Sequence, residues 1–325
     1  MTARGGIDLG GTKIQTAVVD DEYKVLGQAR HPTPTKGGPS DVADAMAAAL
    51  REAAESAEVE TGALAGIGVG SPGAIDQRAG TVTSARNLPK WEGTFALGPA
   101  LEGVLGAPVV IGNDVDVATA AEFHHGAGRP YQSILGVFWG TGVGGGIVLD
   151  GKPWSGRGAS GEIGHVVVKL DGARCPCGRR GCMEAYAGRA AMEARAHKEL
   201  EAGAKTQLFK IMEDRGRTRL TSGVWARALR HNDHLAVRLI DRAVEALGAG
   251  VASCVNVLDV EAVIVGGGLG LRLGQPYVDR IADAMHPHLF ADDRPPAIHL
   301  AALGDLGGAI GAAQLSEIAP TAARA

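Results

Sequence analysis

The chain has 325 residues, long for a single hydrophobic core, so two packed lobes are expected. Apolar residues make up 45% and charged residues 21%, which excludes a mainly disordered chain, and a formal charge of −4 leaves no electrostatic footprint for nucleic acid or an anionic membrane. Met1 to Gly6 carries no apolar signal core and no long apolar run is free of glycine or charge, so a cytoplasmic protein without a membrane span is expected.

In chain order, Ile7 to Leu9 is a short apolar run entering Gly10-Gly11-Thr12-Lys13, and Ile14 to Val19 leads into Asp20-Asp21. This predicts strand, tight glycine turn, strand. Ser40 precedes Asp41 to Ala57, an alanine-rich stretch read as a capped helix. Gly66 to Gly70 reads as a strand ended by Ser71-Pro72-Gly73. Val109 to Ile111 is another, ending in Gly112-Asn113-Asp114, with a helix over Val115 to His124. The pattern then restarts. Ile134 to Trp139 enters Gly140-Thr141-Gly142-Val143-Gly144-Gly145-Gly146, and Ile147 to Leu149 leads into the turn Asp150 to Pro153. A long helix is expected from about Leu235 to Leu258. The strand Ala262 to Val265 then runs into Gly266-Gly267-Gly268, with a helix from about Pro276 to Met285. Two halves that each open on a glycine-turned hairpin suggest an internal duplication, carried by element order rather than residue identity.

The chain holds 49 glycines, against about 23 at the usual ~7%. Glycine lets backbone N–H groups converge on phosphate oxygens. One glycine turn is weak evidence, because hairpins need glycine anyway; three, each ending an apolar strand, are better. No Walker A spacing is present. Gly140, Gly142 and Gly145 satisfy Gly-x-Gly-x-x-Gly, but strand and turn follow instead of the helix a dinucleotide fold requires. A cleft between two lobes, each with a phosphate-facing hairpin, is the remaining reading.

Three of the four cysteines cluster, and with His165 they give His-x9-Cys-x-Cys-x4-Cys over Cys175, Cys177 and Cys182. Three thiolates and an imidazole suit tetrahedral Zn²⁺ and leave no open coordination position, so the ion would order a loop. Gly178 and Gly181 would let that loop fold back. The rival is a redox pair, for which no Cys-x-x-Cys before a helix is present; three free thiols are the plain alternative. Cys254 lies beside the helical stripe Ile240, Val244, Leu247, Val251, Val255, Leu258 and reads as a small core residue.

Asp8-Leu9-Gly10-Gly11-Thr12-Lys13 resembles the first phosphate loop of sugar kinases in the actin-like ATPase superfamily. Gly112-Asn113-Asp114, the glycine run from Gly140, Gly161-Glu162-Ile163-Gly164-His165 and the Cys175 to Glu184 segment are similar to motifs of the bacterial ROK family (repressors, open reading frames, kinases). The resemblance spans Ile7 to Leu315, and the pairing of Glu-x-x-His with the cysteine cluster is its most specific part.

The resemblance implies an α/β chain with the two-lobed actin-like ATPase (ribonuclease H-like) fold and a central cleft. The first lobe would cover 1–117 and 307–325, including a C-terminal helix from about Gly307 to Ile318; the second would cover 118–306 with the zinc loop. It implies ATP-dependent transfer of a phosphoryl group to a hexose 6-hydroxyl, glucose leading. Asp114 would be the general base, at a strand end where a helix N-terminus favours an ionised carboxylate. The ordinary reading of that place is a helix cap, which Asn113 or Asp114 would satisfy. Asn113, Asp114, Glu162, His165 and Glu184 match sugar-contacting positions, with Gly73 and Asn87 as weaker matches. Closing the zinc loop would bring Glu184 toward Glu162 and His165, whose imidazole would hold zinc through one nitrogen and a sugar hydroxyl through the other. Asp8 would help hold Mg²⁺ through water. Gly10, Gly11, Thr12, Lys13, Thr141 and Gly142 match phosphate loops, with Lys13 also readable as an ordinary hairpin lysine. Gly267 and Gly268 match the adenosine side, and Asp305 receives no role. A homodimer or homotetramer is implied by the family alone.

Two positions depart from the family pattern. Asp116 stands where kinases usually carry an amide, and would raise the pKa of Asp114 if it faced the site or support the helix start if it did not. Trp139 precedes the second loop, where smaller residues are usual. A sugar-responsive DNA-binding repressor is a competing reading, disfavoured because the phosphate loop begins at Asp8 and leaves no room ahead of it for a helix-turn-helix. An actin-like assembly protein would not need the cysteine loop. N-acetylmannosamine, N-acetylglucosamine, fructose and allose are alternative acceptors. Polyphosphate-using relatives tend to lack the cysteine cluster, which favours ATP.

Overall fold

The computed structural model describes residues 2–85 and 88–318. The chain divides into two compact units, one running to Arg129 and resuming at Ala302, the other spanning Pro130–Ala301. In the first, β1 (Arg4–Leu9), β2 (Lys13–Val19) and β3 (Val25–Pro32) form an antiparallel meander. β4 (Ile67–Ser71) and β8 (Val109–Asn113) then add in parallel beside β1, giving the order β3-β2-β1-β4-β8. A small sheet of β5 (Ala74–Asp76), β6 (Thr81–Thr83) and β7 (Thr94–Phe95) lies between β4 and β8 in sequence.

The parallel strands are covered on both faces, which is why they read as apolar runs without strict alternation. On one face α1 (Pro39–Ser56) and α2 (Leu97–Leu105) bring Met46, Leu50 and Leu101 against Ile7 and Ile67. On the other lies the C-terminal helix, Gly307–Ile318, whose Ala309 and Ala313 pack on Ala17 and Val19. It approaches so closely that a Cβ at Gly6 or Gly68 would overlap the carbonyls of Ala309 or Ala312. Part of the glycine excess is therefore packing space under a helix. The α1 cap differs from expectation. Gly38, not Ser40, is the N-cap residue; Pro39 opens the helix and Asp41 accepts from the Gly38 N–H at 2.8 Å.

The second unit repeats the plan. β9 (Ile134–Trp139) pairs antiparallel with β10 (Val143–Leu149), which carries a short β11 (Lys152–Pro153). β12 (Ala262–Gly266) and β13 (Ala297–Leu300) follow in parallel, giving β11-β10-β9-β12-β13. Element order thus becomes a repeated ribonuclease H-like topology, the fold of actin-like ATPases. Glycines 144 to 146 belong to β10 rather than to the turn, and a Cβ at Gly145 would lie 2.6 Å from Ile163 Cδ1. Between β11 and β12 come α4 (Glu184–Ala187), α5 (Arg189–Glu201), α6 (Leu208–Asp214), α7 (Ser222–Arg230) and α8 (His234–Leu258). α9 (Gly267–Leu273) and α10 (Gln275–Met285) follow β12. The α8 stripe of Ile240, Val244, Leu247 and Val251 is buried in the core, while Cys254 packs half-buried at its edge.

The boundary at Arg129 departs from the expected 117/118 division, and the return at Ala302 from 307. The reason is α3 (Asp114–His125), which packs against the C-terminal helix and stays with the first unit. Its buried Glu122 accepts from Ala127 N at 3.0 Å, Ala302 N at 2.9 Å and Leu303 N at 2.8 Å. One carboxylate so ties both ends of the excursion into the second unit to α3. Among the described residues, no helix is long and apolar enough to cross a membrane.

Candidate functional site

In the first unit, the candidate residues collect where three parallel strands end. Asp8 pairs across to Gly70, Gly70 to Gly112 and Ser71 to Asn113. Carboxyl ends of adjacent parallel strands are where α/β sheets bind ligands, because the loops diverge there. Asn113 is the cap of α3; its side-chain oxygen accepts from Val115 N at 3.0 Å and Asp116 N at 3.2 Å. That leaves Asp114 as the first helical residue, half-buried, with Oδ1 accepting from Val115 N at 3.1 Å. Cap and candidate base are therefore separate residues, and the sequence alternatives resolve onto Asn113 for the cap.

Asp8 is half-buried at the end of β1, its carboxyl closely surrounded by protein atoms. Desolvation pushes its carboxyl up to about 7, the neighbouring charge of Asp114 adds to the rise, Lys13 opposes it and Asp305 contributes. The Lys13 ammonium sits 3.3 Å from Asp305, so the acid left without a role holds the hairpin lysine. Gly10, Gly11 and Thr12 form the turn, closed by Gly10 N donating to Lys13 O at 2.9 Å. Gly73 lies in the turn after β4 with φ +103°; Asn87 lies outside the described residues.

The second unit holds the other candidates. Gly140, Thr141 and Gly142 turn between β9 and β10, and Gly267 and Gly268 open α9 beside them, with a Cβ at Gly140 only 3.9 Å from Gly268 N. Trp139 does not face this surface. It is fully buried, its indole N–H donating to Ala187 O at 2.7 Å, so its bulk is core packing under the loop.

Glu184, at the start of α4, accepts from Val143 N at 3.0 Å through Oε2, and its Oε1 lies 3.8 Å from Cys175 Sγ. A Cβ at Gly142 would overlap that carboxylate, which would then have to swing aside. Glu162 is exposed, its Oε2 3.7 Å from His165 Nε2. The two glutamates thus reach the cluster at His165 and at Cys175.

His165, Cys175, Cys177 and Cys182 bring one ligand atom each within 4.8 Å of one another. His165 Nδ1 lies 3.8 Å from Cys175 Sγ, and Cys177 Sγ lies 3.8 Å from Cys182 Sγ. A tetrahedral Zn²⁺ with ~2.3 Å bonds to sulfur needs S···S edges of about 3.8 Å. A disulfide would need about 2.05 Å, and all four cysteines are free. The donor set and its spacing therefore fit zinc. Gly181, at φ +81°, folds the loop so tightly that a Cβ would overlap Lys169 O. Burial pushes the Cys175 thiol up to about 12 and raises Cys182, whereas the Arg179 N–H lowers Cys177. A cation is what would ionise the two buried thiols together.

Two residues escaped the sequence reading. Glu122 looked like an ordinary helix-face glutamate. Arg189 is buried at the start of α5, its Nη2 donating to Thr141 Oγ1 at 2.7 Å and its Nη1 to Leu220 O at 3.1 Å. Neither has a local signature, because both act on segments distant in the chain.

The chain is 32% identical over 290 residues to a glucokinase of Thermotoga maritima, covering 87% of this chain and 88% of that one. It is 31% identical over 325 residues to an N-acetyl-D-glucosamine kinase of Citrobacter koseri, covering 95% and 98%. Among solved structures it resembles a ROK family glucokinase from Streptomyces griseus in complex with glucose and AMPPNP, with TM-score 0.83, 32% identity and coverage of 98% and 100%. The family model for ROK matches residues 4–318, and the chain belongs to the ROK family.

Proposed function

We propose that the protein is an ATP-dependent sugar kinase that phosphorylates the 6-hydroxyl of a hexose, with glucose as the leading acceptor. The observation that carries this reading is the separation of roles at the end of β8. Asn113 satisfies the helix start, and Asp114, the next residue, is assigned to take a proton from an attacking hydroxyl. In phosphoryl transfer the transition state is loose, so such a carboxylate mainly orients the hydroxyl and accepts its proton late. Asp8, two strands away across β4, would hold Mg²⁺ through water; that ion supplies charge neutralisation at the phosphates.

Asn113, Glu162, His165 and Glu184 are assigned to the sugar hydroxyls, with Gly73 beside them. A carboxylate offers two acceptor oxygens, suited to adjacent hydroxyls. The His/Cys₃ cluster is assigned to structural Zn²⁺. With Nδ1 turned to the ion, His165 would present Nε2 to the sugar. Gly10 to Lys13, Thr141 and Gly142 are assigned to phosphates, and Gly267 and Gly268 to the adenosine side. Free clustered thiols suit a reducing compartment, which supports a cytoplasmic enzyme. The likeness to an N-acetyl-D-glucosamine kinase favours an N-acetylhexosamine as the second acceptor class.

The test is a coupled ADP-release assay over hexoses and N-acetylhexosamines, with ATP and polyphosphate as donors. Glucose-dependent ADP release is expected to exceed that with other acceptors. ADP release indifferent to every sugar would overturn the proposal.

A further inference from the structure

The loop of Gly140, Thr141 and Gly142 is polarised. All three of its carbonyls face protein donors: Gly140 O accepts from Arg189 N at 3.1 Å, Thr141 O from Ala190 N at 3.0 Å, and Gly142 O from Gly140 N at 3.0 Å. The first two donors are the leading N–H groups of α5, so the loop itself satisfies that helix start. Among the described residues, neither Thr141 N nor Gly142 N has a protein acceptor. The loop therefore turns its oxygens inward and leaves the N–H groups of Thr141 and Gly142 to face outward.

Arg189 extends that polarity to a side chain. A guanidinium has donors only, so the Thr141 oxygen must accept in their 2.7 Å contact. The hydroxyl has a single proton, and no oxygen among the described residues takes it. It is left to be donated outward, beside the two free N–H groups. Arg189 is 8% exposed, and Glu193, one helical turn on, supplies an opposing charge. Arg189 also grips Leu220 O, just before α7, whose Ser222 Oγ lies 3.7 Å from where a Cβ of Gly268 would sit.

We propose that Arg189 is a positioning residue for the nucleotide: it fixes the Thr141 hydroxyl as an obligate donor to a phosphate oxygen and ties the phosphate loop to the segment entering α7. This rests on the phosphate assignment of Thr141 made above. Arg189 touches no phosphate itself; it acts through the hydroxyl.

The test is a double-mutant cycle of Arg189→Met and Thr141→Val, read as KM for ATP, KM for glucose and kcat, with glucose binding measured separately by calorimetry. Each single variant is expected to raise KM for ATP about tenfold, the size of one lost hydrogen bond to a charged group. The double variant should be no worse than about twofold beyond either single one, because both act on the same hydroxyl-to-phosphate contact, one by removing the hydroxyl and the other by releasing its orientation. Glucose affinity should stay unchanged. Arg189→Lys, a donor-only cation, should stay within about threefold of the parent. Losses that add fully, or that fall equally on glucose, overturn the proposal. If Arg189→Met fails to fold, the Lys variant decides, and a loss as large as that of Thr141→Val overturns it. Parent protein without ATP-dependent sugar phosphorylation brings down the underlying reading. A normal parent with an unaltered Arg189→Met refutes the role of Arg189 alone.

Discussion

The β1–β2 and β9–β10 hairpins each turn over three residues, Gly10 to Thr12 and Gly140 to Gly142. Each turn is closed by its first glycine N–H, donating at 2.9 Å in one and 3.0 Å in the other. In each, the residue two places before the turn faces a glycine on the neighbouring parallel strand, Asp8 against Gly70 and Phe138 against Gly266. There the likeness stops. The first hairpin is backed by Asp8 and Asp114, with Lys13 held by Asp305. The second is backed by the buried guanidinium of Arg189 and, beneath it, by Trp139. One backbone plan was kept twice with different charges around it: carboxylates beside the first turn, and a buried guanidinium together with the Glu184 carboxylate beside the second.

The largest expected effect tests the acidic hairpin. Asp114→Ala should fold and bind sugar yet lose ~10³-fold or more in kcat; near-normal turnover would remove Asp114 from the base role. Next comes the metal loop of the second unit. Cys177→Ser should lose bound zinc and raise KM for glucose roughly tenfold, since the closed ligand set and the loop order depend on each other. Metal analysis and kinetics read this together, and unchanged glucose binding in metal-free protein would separate the ion from the sugar site.

A smaller effect concerns pH. The Asp8 carboxyl rises from 3.8 to about 7 in the folded chain. The native state then holds a proton that the unfolded chain gives up from about pH 4. Stability is therefore full below that pH and declines as pH climbs toward 7. Urea unfolding in chelator across that range should show the decline, and Asp8→Asn should flatten it. An identical slope in the variant would mean that Asp8 is not the group responsible. The smallest change is expected from Trp139→Phe, which removes the N–H to Ala187 O and should cost about 1 kcal/mol with little change in KM for ATP. A large rise in that KM would mean that Trp139 shapes the nucleotide surface after all.

Much of the site was legible because its residues sit at strand ends marked by glycine. Asp8 lies in a short apolar run, Asn113-Asp114 and Thr141 each follow one, and the cysteine spacing speaks for a metal without any fold. Asn113 and Asp114 could not be told apart as the helix cap, since either side chain satisfies a helix start; the contacts of Asn113 decide that it is the cap. Trp139 read as a departure near the nucleotide because strand alternation does not say which face is core.

The sequence by itself determined the hairpins, the long α8 helix, the repeated order of elements and the His/Cys₃ set, since each is written in neighbours a few residues apart. Only the tertiary structure decided that α3 stays with the first unit through Glu122, that Lys13 is held by Asp305, and that Arg189 stands behind Thr141. Those contacts join segments from 48 to 292 residues apart, between Thr141 and Arg189 and between Lys13 and Asp305. No local periodicity or propensity encodes a charge whose partner arrives from so far along the chain.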